Sequence, residues 1–443
     1  MTDYVCELAW LGGDRAERDV LVRVDDRRIT TVDVGVAIAP ADAVRLRGLT
    51  VPGFANAHSH AFHRALRGRT HRREGSFWTW REQMYEVARC LDPDRSFRLA
   101  RAAFAEMAMA GISVVGEFHY VHHRPDGGAY DDPNAMGSAL THAAADAGVR
   151  ITLLDACYLH GGIGAVPDDT QRRFSDVDAD SWAARASRLD DGSDVRIGAA
   201  IHSVRAVDPR SMELVAQWAD ERGAPLHAHV SEQPAENDAC RDAYGRTPTE
   251  LLADHEVLGE RFTAVHATHA TTGDLGLLGA SGSCCCLCPT TERDLADGIG
   301  AAGEMRDAGV RLALGSDSNA IVDPLEEARA VELDERLATG VRGHHDAATL
   351  LRAACEGGHA SLGWPDAGRI EPGALADLTT IGLDSVRTVG ADAANALDVA
   401  VFAATSVDIH HVVIGGRVVV ADGLHRMLDV PRELRAGIAA VGE

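Results

Sequence analysis

Hydrophobic and polar positions change rhythm along this chain, and the changes divide it into three stretches. Up to about residue 50 apolar and polar side chains alternate, as in VLVRVDDRRITTVDVG around the turn signal Asp25-Asp26. A period of two broken by a short polar pair predicts a β-hairpin. The tail from about residue 370 has the same character in DLTTIGL and HHVVIGGRVVVADG, with Gly415-Gly416 at a second hairpin turn. The two ends are expected to pair into one small β-sandwich, which assigns 1–50 plus 370–443 to a composite domain and 51–369 to the domain between them.

In that middle stretch, short apolar runs rich in β-branched residues alternate with amphipathic helical segments, the pattern of βα units. Strands are expected near 49–57, 112–118, 151–158, 195–201, 225–230, 262–267, 283–288 and 311–316. Eight is the number that closes a (β/α)8 barrel of about 250 residues. The predicted class is therefore α/β, a TIM-like barrel flanked by the β-sandwich of the two termini. The polar stretch 178–194 reads as an exposed connection.

Composition narrows the function. The net charge of −24 argues against an extended footprint for nucleic acid or anionic lipid, so the expected partner is a small molecule. Residues 1–30 mix acidic and basic side chains among the apolar ones, and no apolar run of about 18 residues occurs, which predicts a cytoplasmic protein without a membrane segment. The nine cysteines have no framework spacing. Cys284, Cys285, Cys286 and Cys288 fall in one strand-like run, where successive side chains face opposite ways, so core packing is expected and not a metal cluster. Lysine is absent and all 43 basic residues are arginine, which excludes Schiff-base chemistry.

Candidate chemistry sits where the strands end. His58 and His60 in NAHSH, His229 in HAHVSE, His266 in VHATH and Asp317 in LGSDSN each lie at or just past the end of a predicted strand. In a barrel these ends converge on one face, which would build a hydrolytic metal centre. Three of these four histidines with the aspartate suit a borderline divalent ion such as zinc and leave a position for water. A second ion in such barrels is commonly bridged by a carboxylated lysine, which this chain lacks, so one ion is expected. His227 reads as a hydrogen-bonded residue one layer below His229, and His269 as a loop or cap residue. Glu232, three residues after His229, can take a proton from water and pass it to a leaving nitrogen.

Taken together, VPGFANAHSHAFHRALRG, FWTWREQMY, HSVRAV, HAHVSEQ, VHATHA, CPTTERDLADG, LGSDSN and RIEPGALADLTTIGL resemble the amidohydrolase superfamily in its one-metal deaminase branch. Within it they are similar to the formimidoylglutamate deiminase family, over nearly the whole chain. The resemblance implies His58, His60, His229 and Asp317 as ligands of one divalent metal, with Glu232, His266 and Asp317 in catalysis. It also implies that His63, Arg81, Tyr120, His202 and Arg205 meet the substrate, a formimidoyl dicarboxylic amino acid. That family carries glutamine at the position of His63, a departure that bears on the exact substrate. Two arginines suit a dicarboxylate, because each planar fork can grip one carboxylate.

The implied reaction is deimination of N-formimidoyl-L-glutamate to N-formyl-L-glutamate and ammonia, by a cytoplasmic enzyme expected as a homodimer. Two alternatives stand beside it. One is a one-metal deaminase of a heterocycle or nucleoside, related to guanine, pterin or adenosine. The other is a silent binding protein that keeps the ion for structure.

Overall fold

The computed structural model describes residues 2–71 and 75–442. Eight parallel strands form one sheet in strict sequence order: β1 (Phe54–Ser59), β2 (Ile112–His119), β3 (Arg150–Cys157), β4 (Val195–Ser203), β5 (Leu226–Val230), β6 (Phe262–His266), β7 (Cys284–Leu287) and β8 (Arg311–Leu314). The first and last strands meet through a parallel bridge between Ser59 and Asp317, so the barrel closes at the carboxyl ends. That is the end where the fold places its active sites. Helices between the strands cover the outside and bury a continuous apolar layer against them.

A second sheet carries both termini. Its order runs from Leu424–His425 through Arg417–Ala421, Ile409–Ile414 and Leu378–Ile381 to Val44–Pro52, then Thr2–Ala9, Glu17–Asp25 and Arg28–Asp33. The halves join where Leu378 lies opposite Pro52 in an antiparallel ladder. Both expected hairpins are present. Their central residues, Asp26 and Arg27 in one and Gly415 and Gly416 in the other, all have positive φ, as a two-residue turn between twisted strands requires. No helix among the described residues is long and apolar enough to cross a membrane.

Two sequence expectations are corrected. The run 49–57, read as one strand, is split: Val44–Pro52 belongs to the terminal sheet and Phe54–Ser59 to the barrel. Gly53 makes the break, donating its N–H to Asp377 O at 2.9 Å, and a Cβ there would stand 2.6 Å from Ser113 Oγ. An unbroken apolar run cannot show that its two parts pair with different sheets. The stretch 178–194, read as exposed, contains the helix Ala179–Ala186, capped by the Asp178 side chain accepting from Ser181 N. Its Trp182 is fully buried and donates through Nε1 to Asp155 Oδ1 at 2.9 Å, while Arg185 forks onto both oxygens of Asp155 at 2.8 Å. These two residues on one buried carboxylate, with Ala179 and Ala186 in the apolar layer, dock the helix.

The cysteine run behaves as alternation requires. Cys284, Cys286 and Cys288 pack with Ala57, Val265 and Ala313, whereas Cys285 joins the apolar layer under the helices. His227 is buried, one layer below His229, with Nε2 2.9 Å from Ser361 O.

Candidate metal centre and cavity

The carboxyl ends of β1, β5 and β8 bring His58, His60, His229 and Asp317 together, with one donor atom from each within 4.8 Å of the others. The Nε2 atoms of His58 and His60 each lie 3.4 Å from Asp317 Oδ1, and His229 Nε2 is 3.1 Å from His58 Nε2. All four side chains are buried. His60 donates through Nδ1 to Phe118 O at 2.9 Å, and His229 through Nδ1 to His202 O at 2.8 Å. These backbone contacts fix the tautomers, so both Nε2 lone pairs face inward.

Electrostatics prepare the group for a cation. Burial holds His58, His60 and His229 below the ordinary imidazole range, and their mutual proximity adds to this for His60 and His229. Burial opposes the charge of Asp317, but the hydrogen bond with His58 and the nearby His266 and His60 outweigh it and hold the carboxylate below its usual range. Neutral imidazoles and an ionised carboxylate are the forms that ligate. Converging lone pairs at 3.1 Å repel unless a positive charge stands among them, so these residues fit a divalent ion.

Glu232 and His266 stand beside this group. His266 Nε2 is 3.8 Å from Glu232 Oε1 and 3.9 Å from Asp317 Oδ2, with no hydrogen-bond partner, while Nδ1 is 3.3 Å from Glu292 Oε1. Burial disfavours the imidazolium, but Glu232, Glu292 and Asp317 outweigh it and raise His266 well above the usual range. Burial also raises the Glu232 carboxyl, against the pull of His266 and Arg205. Sequence reasoning assigned no role to Glu292, although it lies in the quoted CPTTERD run just beyond β7; its position after a barrel strand was the available signal.

Several residues here hold strained backbone. Ser231 after β5, His266 and Ala267 at the end of β6, and Asp317 after β8 have φ of 51°, 70°, 52° and 40°. Left-handed conformations cost non-glycine residues about 1 kcal/mol or more each and cluster at functional sites, where the surroundings enforce them.

The centre opens into a cavity of about 190 Å³. His63, Arg81, Tyr120, His202 and Arg205 all line it, as do Glu232, His266 and Asp317. His63 follows β1 in the short helix Ala61–Leu66, with Nε2 3.1 Å from Tyr120 Oη. Arg81 projects from the helix Phe77–Cys90 and lies over the Trp78 and Tyr85 rings at 4.8 and 5.3 Å. Arg205 leaves β4 and is only loosely paired, 3.8 Å from Glu232 Oε2 and 4.0 Å from Glu236 Oε1. Glu236, Tyr85 and Tyr158 also belong to this region and were not singled out from sequence; Tyr158 alone had a signal, directly after β3.

A (β/α)8 barrel with three histidines and one aspartate gathered at its carboxyl face, beside a buried glutamate and a fourth histidine, has the make-up of a metal-binding hydrolase. The chain belongs to the amidohydrolase family, whose model matches residues 49–419. It is 35% identical over 415 residues to a formimidoylglutamate deiminase of Pseudomonas aeruginosa, covering 90% of each chain. It is also 30% identical to a 5-methylthioadenosine/S-adenosylhomocysteine deaminase of Natronomonas pharaonis, over 86% of this chain and 83% of that one. The crystal structure of an amidohydrolase from Brucella melitensis superposes with a TM-score of 0.93 at 32% identity, covering both chains completely. The protein is thus a hydrolase that acts on C–N bonds of a small molecule.

Proposed function

We propose that the protein hydrolyses N-formimidoyl-L-glutamate to N-formyl-L-glutamate and ammonia. The observation that carries this reading is the pair of arginines, Arg81 and Arg205, lining the one cavity onto which the His58, His60, His229 and Asp317 group opens. Two guanidinium groups match the two carboxylates of the substrate. The similarity to the formimidoylglutamate deiminase adds to it. The catalytic domain in this reading is 51–369, flanked by 1–50 plus 370–443.

His58, His60, His229 and Asp317 would hold one divalent ion, and three nitrogens with one carboxylate oxygen favour zinc. When bound, the ion supplies Lewis acidity and lowers the pKa of water toward neutrality. The chain's own residues do the rest. Arg205, whose nearest carboxylates stand no closer than 3.8 Å, keeps its donors for the substrate. Arg81, Tyr120, His202 and His63 complete the enclosure and orient the formimidoyl carbon toward the histidines. Asp317 and His266 position the attacking water. Glu232, whose proton affinity burial raises, takes a proton from that water as its oxygen bonds to the formimidoyl carbon and delivers it to the terminal nitrogen. The remaining hydroxyl proton follows by the same route as the carbonyl forms, the C–N bond to that nitrogen breaks, ammonia leaves, and the substituted nitrogen stays with the formyl product.

A second reading, deamination of a nucleoside or heterocycle, is favoured by the aromatic side chains Trp80, Tyr120, Tyr158 and Phe174 around the cavity and by the Natronomonas relative. Ammonia release from formimidoyl-glutamate, formimidoyl-aspartate, formimidoyl-glycine, methylthioadenosine and guanine separates the two. Fastest turnover of formimidoyl-glutamate is expected. A purine processed faster than every formimidoyl amino acid would overturn the proposal.

A further inference from the structure

Beyond the two arginines, the cavity holds a hydrogen-bond chain whose direction can be read from its far end. Gln171 is buried behind the cavity wall in the short helix Gln171–Arg173. Its Oε1 accepts from the backbone N–H of Asp168 at 2.9 Å, which fixes the orientation of the amide and turns its NH2 group the other way. Nε2 then faces Tyr158 Oη at 2.9 Å and Tyr85 Oη at 3.1 Å, with Gly161 O more distant at 3.3 Å. An amide NH2 has two hydrogens, and the two nearest acceptors are both phenol oxygens.

Each phenol that accepts from Gln171 keeps its own hydrogen; the two hydroxyls also interact with one another, a contact that an incoming carboxylate would replace. Tyr85 and Tyr158 both line the cavity, and burial keeps both hydroxyls protonated across the neutral range. Tyr158 is held by ring contacts with His202 at 4.5 Å and Phe174 at 5.5 Å. The Arg81 guanidinium lies over the Tyr85 ring, and the charges of Arg81 and Arg205 both act on Tyr158. Four donors gathered in one part of the cavity, two cationic and two phenolic, match a ligand group that only accepts, which is a carboxylate.

We propose that Tyr85 and Tyr158 are further substrate-binding residues that donate to a substrate carboxylate beside the arginines, and that Gln171 is the positioning residue whose donation to both hydroxyl oxygens leaves their hydrogens available to do so. The inference rests on the deiminase reading for the identity of the substrate, but the donor cluster itself is defined by the chain's own atoms.

The test uses Tyr85→Phe, Tyr158→Phe and Gln171→Glu in the full-length, metal-loaded enzyme. Gln171→Glu is close to isosteric, yet its carboxylate accepts where the amide donated and would draw both phenolic hydrogens away from the cavity. Each change is expected to raise KM for formimidoyl-glutamate about tenfold or more, the scale of one lost hydrogen bond to a charged group, with a smaller change in kcat. Binding of glutarate, a plain dicarboxylate followed by calorimetry, is expected to weaken in parallel. Gln171→Glu added to the Tyr85→Phe/Tyr158→Phe pair should weaken it no further. Wild-type-like KM and glutarate affinity in all three variants, or no glutarate binding to the wild type, would overturn the proposal. Wild type that binds glutarate through these tyrosines but releases no ammonia from formimidoyl-glutamate would sink the deiminase reading and leave the carboxylate site standing.

Discussion

Asp317 and His58 are joined twice: the Asp317 backbone N–H donates to His58 O at 2.9 Å, and Asp317 Oδ1 stands 3.4 Å from His58 Nε2. The first contact helps seal the barrel between its last and first strands, and the second belongs to the candidate metal centre. One pair of residues therefore serves closure and chemistry together.

From this coupling, metal removal should cost stability as well as activity. Chelation is expected to lower Tm, because an ion bound only by the folded state stabilises it by mass action. Reconstitution with excess zinc should restore Tm and activity together at one ion per chain. A stable, active stoichiometry of two, or an unchanged Tm in the stripped protein, would contradict the expectation.

Glu232→Gln keeps the size and shape of the side chain without its capacity to carry a proton. It should retain the metal and the fold while losing roughly 10² to 10⁴ in kcat, the range of a general acid–base contribution. Metal analysis and circular dichroism run beside the kinetics check this. Near-wild-type turnover would move proton transfer to another group.

Arg205→Met should lower kcat/KM for formimidoyl-glutamate by on the order of 10² or more, since hydrogen bonds to a charged group are worth roughly 1.5 to 3 kcal/mol each. The loss should be far smaller for a formimidoyl compound without the carboxylate that Arg205 grips. Equal losses on both substrates would give Arg205 a structural role only, as partner of Glu232 and Glu236.

His359 supplies a stability prediction away from the metal centre. Its Nδ1 donates to Cys355 O at 2.8 Å and its Nε2 accepts from Ser113 Oγ at 3.1 Å, and burial lowers it from the usual 6.5 to about 4. A depressed histidine contributes stability that is present above its unfolded pKa and lost as pH falls through the folded one, here between about 6.5 and about 4. Acidification from pH 6.5 to 4.5 should cost about 2 kcal/mol through this residue. Urea midpoints at the two pH values should therefore converge more closely in His359→Asn than in wild type; an identical pH slope in both would exclude the residue as a source.

The periodicities of the chain carried most of the architecture. A βα rhythm with eight apolar runs leaves few alternatives to a barrel, and a histidine or aspartate at the end of a barrel strand must lie on its active face, because the strands are parallel and their carboxyl ends converge. That is why His58, His60, His229, His266 and Asp317, scattered over 260 residues, are legible in the sequence as one group.

Tertiary packing decided what one strand's pattern cannot encode. The pairing of 44–52 with one sheet and 54–59 with another depends on Ser113 and Asp377, which press against Gly53 from distant parts of the chain. Trp182 packs into the apolar layer against Trp218 and meets Asp155 on β3, partners distant in sequence from a stretch rich in acidic residues. Glu292 reaches His266, and Gln171 reaches Tyr85 and Tyr158, across sequence separations of 26, 86 and 13 residues. Local patterns record which face a residue must hide; a hydrogen-bond partner is set by three-dimensional proximity, which no local period contains.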